Sequence, residues 1–212
     1  MQSALAVLGS YLIGSVSFAI VLSRAFGMAD PRTYGSGNAG ATNVLRSGRK
    51  LVAALTVLGD AGKGWLAVFL AQRLTGESSA DGVDVALAGV AAVLGHLYPV
   101  FHGFKGGKGV ATASGVLLGF NPWLGLGAAV TWAAMLAFFR YASLASLVAA
   151  VFAPFYAFWL FGLRPVLPAV GAIALLLIWR HKANVRRLLA GEEGRVGANA
   201  VPPPTDPSAD GR

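Results

Sequence analysis

Apolar residues come along the chain in seven long runs, over residues 4–22, 51–74, 83–101, 107–120, 123–139, 142–161 and 165–179. A helix rises about 1.5 Å per residue, so a run of roughly twenty residues crosses a hydrocarbon core about 30 Å thick. The pattern therefore predicts an all-α polytopic membrane protein with about seven transmembrane helices. The fourth run is the short one, reaching only about 21 Å as a helix, and a re-entrant or partly inserted segment is its alternative. No basic residue precedes the first run and no small-residue cleavage site follows it. It reads as a retained helix and not as a signal peptide.

Composition removes the soluble alternative. Of 212 residues, 56% are hydrophobic and only 12% charged, with a mean hydropathy of +0.64, whereas a soluble surface carries about twice that charge. Lys and Arg number 17 against 9 Asp and Glu, a net charge of +8. With seven spans most of the basic residues fall on one side, which predicts an outside N-terminus and a cytoplasmic C-terminus. If the fourth run failed to cross, the basic C-terminal segment would lie outside, against that bias. In such a chain the charge excess reports topology and anionic lipid, and nucleic acid is not an expected partner. The absence of cysteine excludes disulfides, thiolate ligands and a cysteine nucleophile. Residues 1–193 are expected to form one integral-membrane domain. Residues 180–190 read as a helix on the membrane surface, and residues 194–212, rich in Pro, Gly, Ala and Ser, as a disordered tail.

Three polar segments emerge on the predicted cytoplasmic side. In YGSGNAGATNVLR, residues 34–46, glycines alternate with Ser36, Asn38, Thr42 and Asn43 ahead of Arg46. Small residues let backbone N–H groups approach an oxyanion, polar side chains donate to it and the arginine neutralises it. The second segment, GHLYPVFHGFKGGKGVAT, places Lys105 and Lys108 among Gly106, Gly107 and Gly109 where an apolar helical run begins. A helix N-terminus presents unpaired N–H groups and a positive dipole end, which suits phosphate. It is not a Walker loop, because Gly109 stands where Ser or Thr is required. In the third, HKANVRRLLAGEE, helical spacing sets His181 and Asn184 on one face.

Asp60 and Lys63 lie inside the second run, where an ionised group is costly unless paired, and they can pair with each other. Arg140, Ser143 and Ser146 end one run and begin the next on the cytoplasmic side, and serine there is commonly a helix cap. His96 and His102 stand six apart with no third ligand at metal spacing, so they read as core or interfacial histidines. No metal or cofactor is expected. The chain has neither a GxSxG elbow nor an HxxxxD pattern.

Together the three segments resemble the signature motifs of the PlsY family of bacterial glycerol-3-phosphate acyltransferases: GSGNAGATNVLR from Gly35, GHLYPVFHGFKGGKGVAT from Gly95 and HKANVRRLLAGEE from His181. The family's DxxKG is similar to Asp60 to Gly64, and its RYxSLxS to Arg140 to Ser146. The resemblance implies a metal-free enzyme of the inner membrane that transfers an acyl group from acyl phosphate to glycerol 3-phosphate, releasing lysophosphatidic acid and phosphate. It implies essential roles for Ser36 and Arg46, phosphate binding by Lys105 to Gly109, support from His181 and Asn184, and a structural role for Glu193. An upstream acyl-phosphate synthase is a candidate partner.

An acyl phosphate is already an activated mixed anhydride, so positioning and charge stabilisation suffice without a covalent intermediate. The expected arrangement has Arg46 and Lys105 on phosphate, with Ser36, Thr42 and Asn43 donating to oxyanions and Gly37 and Asn38 in the same cradle. The departing phosphate or His181 takes the hydroxyl proton. Two other classes use the same residues. An organic-phosphate carrier needs polar residues along a path to both faces, and here they gather on one. A lipid-binding structural protein needs no Ser36.

Overall fold

The computed structural model describes residues 1–78 and 81–197. All regular structure among them is helical: α1 Gln2–Ser15, α2 Phe18–Ala25, α3 Ala41–Arg46, α4 Lys50–Thr75, α5 Val83–Leu97, a 3-10 turn Val100–His102, α6 Val110–Phe120, α7 Pro122–Phe139, α8 Ala142–Phe161, α9 Val166–Arg180 and α10 Lys182–Leu189. Each of the seven apolar runs holds a helix, and the chain is an all-helical integral membrane protein. Four helices are long and apolar enough to cross a membrane by themselves. Two bent pairs, α1 with α2 and α9 with α10, qualify when each is taken together, and α6 is a shorter apolar helix.

The first run departs from the single helix expected of residues 4–22. It breaks at Val16 and Ser17, with a bend of 42° between α1 and α2. The break has a chemical partner, because the Val16 carbonyl accepts a 2.6 Å hydrogen bond from Lys63 Nζ on α4. A carbonyl left out of the helical ladder inside a membrane has to be paired within the protein. The boundary between α6 and α7 is local chemistry of another kind. Asn121 Oδ1 accepts from the backbone N–H groups of Trp123 and Leu124, and Pro122 begins α7.

α1 packs on α4 and α5, α6 on α4 and α7, α8 on α7 and α9, and α5 meets α9. Glycines set the closest approaches. A Cβ on Gly14 of α1 would lie 2.1 Å from the Ala92 carbonyl of α5, and one on Gly95 of α5 would lie 2.2 Å from the Tyr11 carbonyl of α1. Gly64 and Gly115 do the same for α4 and α6, at 2.2 Å from the Thr112 carbonyl and 1.8 Å from the Ala61 carbonyl. Helices in lipid gain little from hydrophobic exclusion between them, so such backbone approach is what holds them together. Gly115 and Gly119 therefore serve an internal contact, since Gly119 also faces Val68 of α4. Gly115→Leu is expected to destabilise the fold by about 1–3 kcal/mol or more. The check is a lower melting temperature in detergent. The outward faces carry large apolar side chains such as Leu8, Phe138, Phe155 and Trp159, all exposed, as a lipid-facing surface requires.

The segment from 194 begins with ordered contacts. Val196 N donates to the Arg140 carbonyl at 2.7 Å, Arg140 Nη2 to the Val196 carbonyl at 3.1 Å, and Arg195 Nε to the Tyr141 hydroxyl at 3.1 Å. The expected tail from residue 198 onward lies outside the described residues.

Candidate active site

The first glycine-rich segment is a folded loop running into α3, not a free coil. Asn43, buried on α3, donates through Nδ2 to the carbonyls of Pro31 at 2.6 Å and Tyr34 at 3.1 Å, while its Oδ1 accepts the Ser36 N–H at 2.9 Å. Both amide hydrogens of Asn43 are thereby used on the loop itself. This corrects the expectation that Asn43 donates to a substrate oxyanion: it shapes the loop that presents Ser36. Gly35 and Gly37 take left-handed φ values of +57° and +67°, and a Cβ on Gly35 would sit 2.3 Å from Asn43 Oδ1. Ser36, Thr42 and Arg46 remain exposed, and Asn38 Nδ2 donates back to the Ser36 carbonyl at 3.1 Å. Arg32, paired with Asp30 at 2.7 Å, reaches the His102 carbonyl at 3.3 Å and joins this loop to the second segment.

In the second segment the chain reverses through Gly103 and Phe104, both left-handed, and again at Gly109 with φ +85°. Gly106 lies on the end of α5, where a Cβ would be 2.0 Å from the His96 carbonyl. Arg180 Nη2, from the last turn of α9, donates to the carbonyls of Gly106 at 3.1 Å and Gly107 at 3.0 Å. Its guanidinium lies 5.8 Å over the Tyr98 ring. Its Nε–H is buried with no hydrogen-bond partner among the described residues, a donor available to a substrate oxygen. The two lysines of this turn separate. Lys108 turns inward and donates to Asn184 Oδ1 at 2.6 Å. Lys105 is exposed and its side chain has no hydrogen bond or ion pair among the described residues.

The third segment bends by 57° after α9, which brings α10 back over the turn. His181 and Asn184 are 2% and 4% exposed, so their shared helical face points into the protein. Asn184 Nδ2 donates to Glu193 Oε1 at 2.6 Å, and Arg187 Nε to Glu193 Oε2 at 2.7 Å. A continuous chain thus runs from Lys108 through Asn184 and Glu193 to Arg187.

Burial pushes the Lys108 ammonium down to about 8. Glu193 opposes that shift, and the positive charges of Arg187, Arg46 and Arg180 add to it. The surroundings of Lys108 are strongly cationic. Partial burial alone would raise the Glu193 carboxyl, but Ser143, Asn184 and Arg187 outweigh it and hold the group below its ordinary value. His181, just beyond the end of α9, is pushed down to about 4 by burial, with the Leu177 carbonyl opposing. That carbonyl lies 2.7 Å from Nδ1. A carbonyl only accepts, so Nδ1 carries the proton and the Nε2 lone pair is left over.

Other expected residues are placed elsewhere or play another part. Ser146 Oγ donates to the Ala142 carbonyl at 2.7 Å and accepts from Trp132 Nε1 at 3.1 Å, tying α8 to α7. Arg140 holds residue 196, and of the trio only Ser143 adjoins the site, beside Glu193. Neither serine caps α8, whose first turn makes no side-chain cap bond. Asp60 and Lys63 pair at 2.8 Å, as expected of them. Arg180, Arg32 and His96 were not legible as site residues in the sequence. Arg180 stands immediately before the third motif, but only the bend after α9 turns it toward the glycines.

A small apolar cavity of about 30 Å³ lies between α6, α7, α8 and α9, next to the start of α6 and the end of α9. Its lining includes Val110, Leu117, Trp132, Ala150, Ala174 and Leu177. Val110 directly follows Gly109, and Leu177 is the residue whose carbonyl holds His181.

The chain is similar to known proteins over most of its length. The family model described as glycerol-3-phosphate acyltransferase matches residues 4–191. The glycerol-3-phosphate acyltransferase of Ralstonia nicotianae is 60% identical over 91% of this chain and 93% of its own length. That of Burkholderia pseudomallei is 61% identical over 93% and 97%. Crystal structures of PlsY, an integral membrane glycerol 3-phosphate acyltransferase, superpose with TM-scores of 0.86 for a glycerol 3-phosphate form and 0.85 for a lysophosphatidic acid form. Their identities are 39% and 38%, and each match covers 93% of this chain and 96% of the other. Family model, relatives and fold agree, and the chain belongs to the glycerol-3-phosphate acyltransferase family.

Proposed function

We propose that this protein transfers an acyl group from acyl phosphate to the 1-hydroxyl of glycerol 3-phosphate, on the cytoplasmic face of the inner membrane, giving lysophosphatidic acid and inorganic phosphate. The observation that carries this reading is the network that joins Lys108 through Asn184 and Glu193 to Arg187, beside Arg180 on the Gly106 and Gly107 carbonyls. Of the four compounds involved, acyl phosphate and lysophosphatidic acid carry both a phosphate and an acyl tail, and glycerol 3-phosphate and inorganic phosphate carry a phosphate without one. Cations in a partly desolvated site serve the heads, and apolar space between helices serves the tail. The glycerol 3-phosphate and lysophosphatidic acid forms of the PlsY relative support substrate and product of this kind here.

In this mechanism the acceptor hydroxyl oxygen attacks the acyl carbonyl carbon, the bond from that carbon to the phosphate oxygen breaks, and the hydroxyl proton ends on the departing phosphate. Ser36 and the unpaired Arg180 Nε–H donate to oxygens that gain charge, and Arg46 and Lys108 hold phosphate. His181 is held neutral to about 4. Its free Nε2 orients the hydroxyl as an acceptor, and its low basicity leaves the proton to the phosphate. Lys105, exposed, serves substrate approach and not the bound phosphate. In this reading all seven apolar segments cross, with the N-terminus outside.

The test supplies purified protein and glycerol 3-phosphate with acyl phosphate, acyl-CoA or acyl carrier protein thioester, and analyses products by mass spectrometry. The expected result is lysophosphatidic acid with equimolar phosphate from acyl phosphate alone. Turnover of acyl-CoA instead would overturn the donor assignment, and an acylated Ser36 would overturn direct transfer. The native chain has no cysteine, so Phe101→Cys and Lys182→Cys report sidedness without background. Both should resist an impermeant thiol reagent in intact cells.

A further inference from the structure

Beneath the glycine turn lies a second group of ionisable side chains. Asp60 and Lys63 on α4 and His96 on α5 are 2%, 4% and 6% exposed. Lys63 Nζ stands 2.6 Å from the Val16 carbonyl, 2.8 Å from Asp60 Oδ1 and 2.9 Å from His96 Nδ1. An ammonium has three N–H donors and no acceptor. With no acceptor of its own, the ammonium can only donate at the 2.9 Å contact, so the Nδ1 that Lys63 meets carries the lone pair, and the proton of the neutral ring is on Nε2.

That second nitrogen reaches the site. A Cβ on Gly107 would lie 2.4 Å from His96 Nε2 and 2.6 Å from the Ala39 carbonyl oxygen. The ring edge therefore lies at the seam where the first glycine-rich loop meets the second. Nε2 has no hydrogen-bond partner among the described residues.

We infer that Asp60, Lys63 and His96 form a positioning cluster for acyl transfer, which holds His96 as the Nε2–H tautomer at the seam between Gly107 and Ala39 and so sets the spacing of the two loops. Nε2 and the Ala39 carbonyl oxygen crowd the same side of Gly107, where an N–H is compatible with that oxygen. The other tautomer would set a lone pair against that oxygen, at a point where Gly107 leaves no room for a side chain. Lys63 acts through His96, and the bend at Val16 supplies the carbonyl that completes its coordination. Asp60 Oδ1, also 3.5 Å from His96 Nδ1, balances the charge.

The inference rests on the reading that these loops hold the reactant phosphates, and its first test does not depend on that reading. Nitrogen-15 NMR of histidine-labelled protein in lipid nanodiscs is simple to assign, because the chain has 3 histidines. His96 is expected to show a pyridine-type Nδ1 and a pyrrole-type Nε2, and Lys63→Met to exchange the two, the proton moving to Nδ1 with Asp60 accepting its hydrogen bond. A pyrrole-type Nδ1 in the unaltered protein overturns the inference, whatever the reaction catalysed.

The second test is kinetic. His96→Gln puts an amide N–H near the Nε2 position, whereas His96→Asn reaches only that of Nδ1. The asparagine variant is expected to lose about tenfold or more in kcat/KM, chiefly through a raised KM for glycerol 3-phosphate, and the glutamine variant to recover to within about threefold of the original. Equal kcat/KM for two monodisperse variants is what a space-filling role would produce, and it overturns the inference. Should either variant fail to fold, the NMR result decides.

Discussion

Changing Lys108 to methionine is expected to lower kcat/KM for acyl transfer by about 10²–10³-fold, the loss typical when a preorganised donor to a developing anion is removed. Methionine keeps an unbranched apolar stem and deletes the charge. The effect follows from placement, since Lys108 is the lysine that turns inward onto Asn184 at 2.6 Å. Lys105→Met, three residues away and exposed, is expected to cost about tenfold at most, in line with a charge screened by solvent. Phosphate release from acyl phosphate, followed against glycerol 3-phosphate concentration, measures both. If Lys105→Met proves the more damaging, the assignment of phosphate to Lys108 fails.

The same lysine predicts a pH dependence with a definite sign. Burial lowers Lys108 to about 8, so the empty site loses a positive charge as pH rises through that value. A bound phosphate dianion favours the ammonium, so binding raises the lysine's pKa and takes up a proton above it. The Kd for glycerol 3-phosphate should therefore rise above pH 8 by about tenfold per unit, until the bound lysine also titrates. Below about pH 6 the ligand loses its second negative charge and binding weakens from the other side. Calorimetry in two buffers of different ionisation heat reads the proton uptake directly. Lys108→Arg, which stays charged throughout, should flatten the alkaline limb even where affinity is lower.

The second large effect is expected at Arg180. Arg180→Gln removes the donor shared by the Gly106 and Gly107 carbonyls together with the buried Nε–H beside them. The turn that carries Lys108 then loses its hold from α9. A displacement of about 1 Å in such a group costs about 10²-fold in rate, and kcat/KM should fall by that order. The melting temperature should change little, because α9 keeps its packing on α5 and α8. Arg180→Lys restores the charge without the planar group that stacks on Tyr98, and partial recovery is expected. A variant with unimpaired kcat/KM would show that the glycine turn holds itself.

Both predictions concern residues whose importance reads differently in sequence and in space. Lys105 and Lys108 are equivalent as letters, each a lysine beside glycine. The left-handed turn at Gly109 and the return of α10 decide which one turns inward. Asn43 and Ser36 look alike as polar members of a glycine-rich loop, yet the buried amide of Asn43 is consumed by three backbone groups and the exposed hydroxyl of Ser36 is not. His96 lacks neighbours in sequence that would mark it, since its partners come 33 residues away in Lys63 and, across the loops, in Gly107 and Ala39.

The sequence alone determined whatever depends on local composition and spacing: seven apolar segments, their helical state, the three polar segments between them, and an anionic substrate class for residues of that kind. Such features survive in one dimension because hydrophobic run length is dictated by membrane thickness and small or cationic residues are needed wherever a phosphate is approached closely. Tertiary structure decided the division of labour. The break at Val16, the 57° bend after α9 and the glycine contacts between helices settle which donors are spent on backbone and which face the site. A hydrogen bond exhausts a donor whatever its sequence neighbours, and that accounting can be read only once residues far apart in the chain have met.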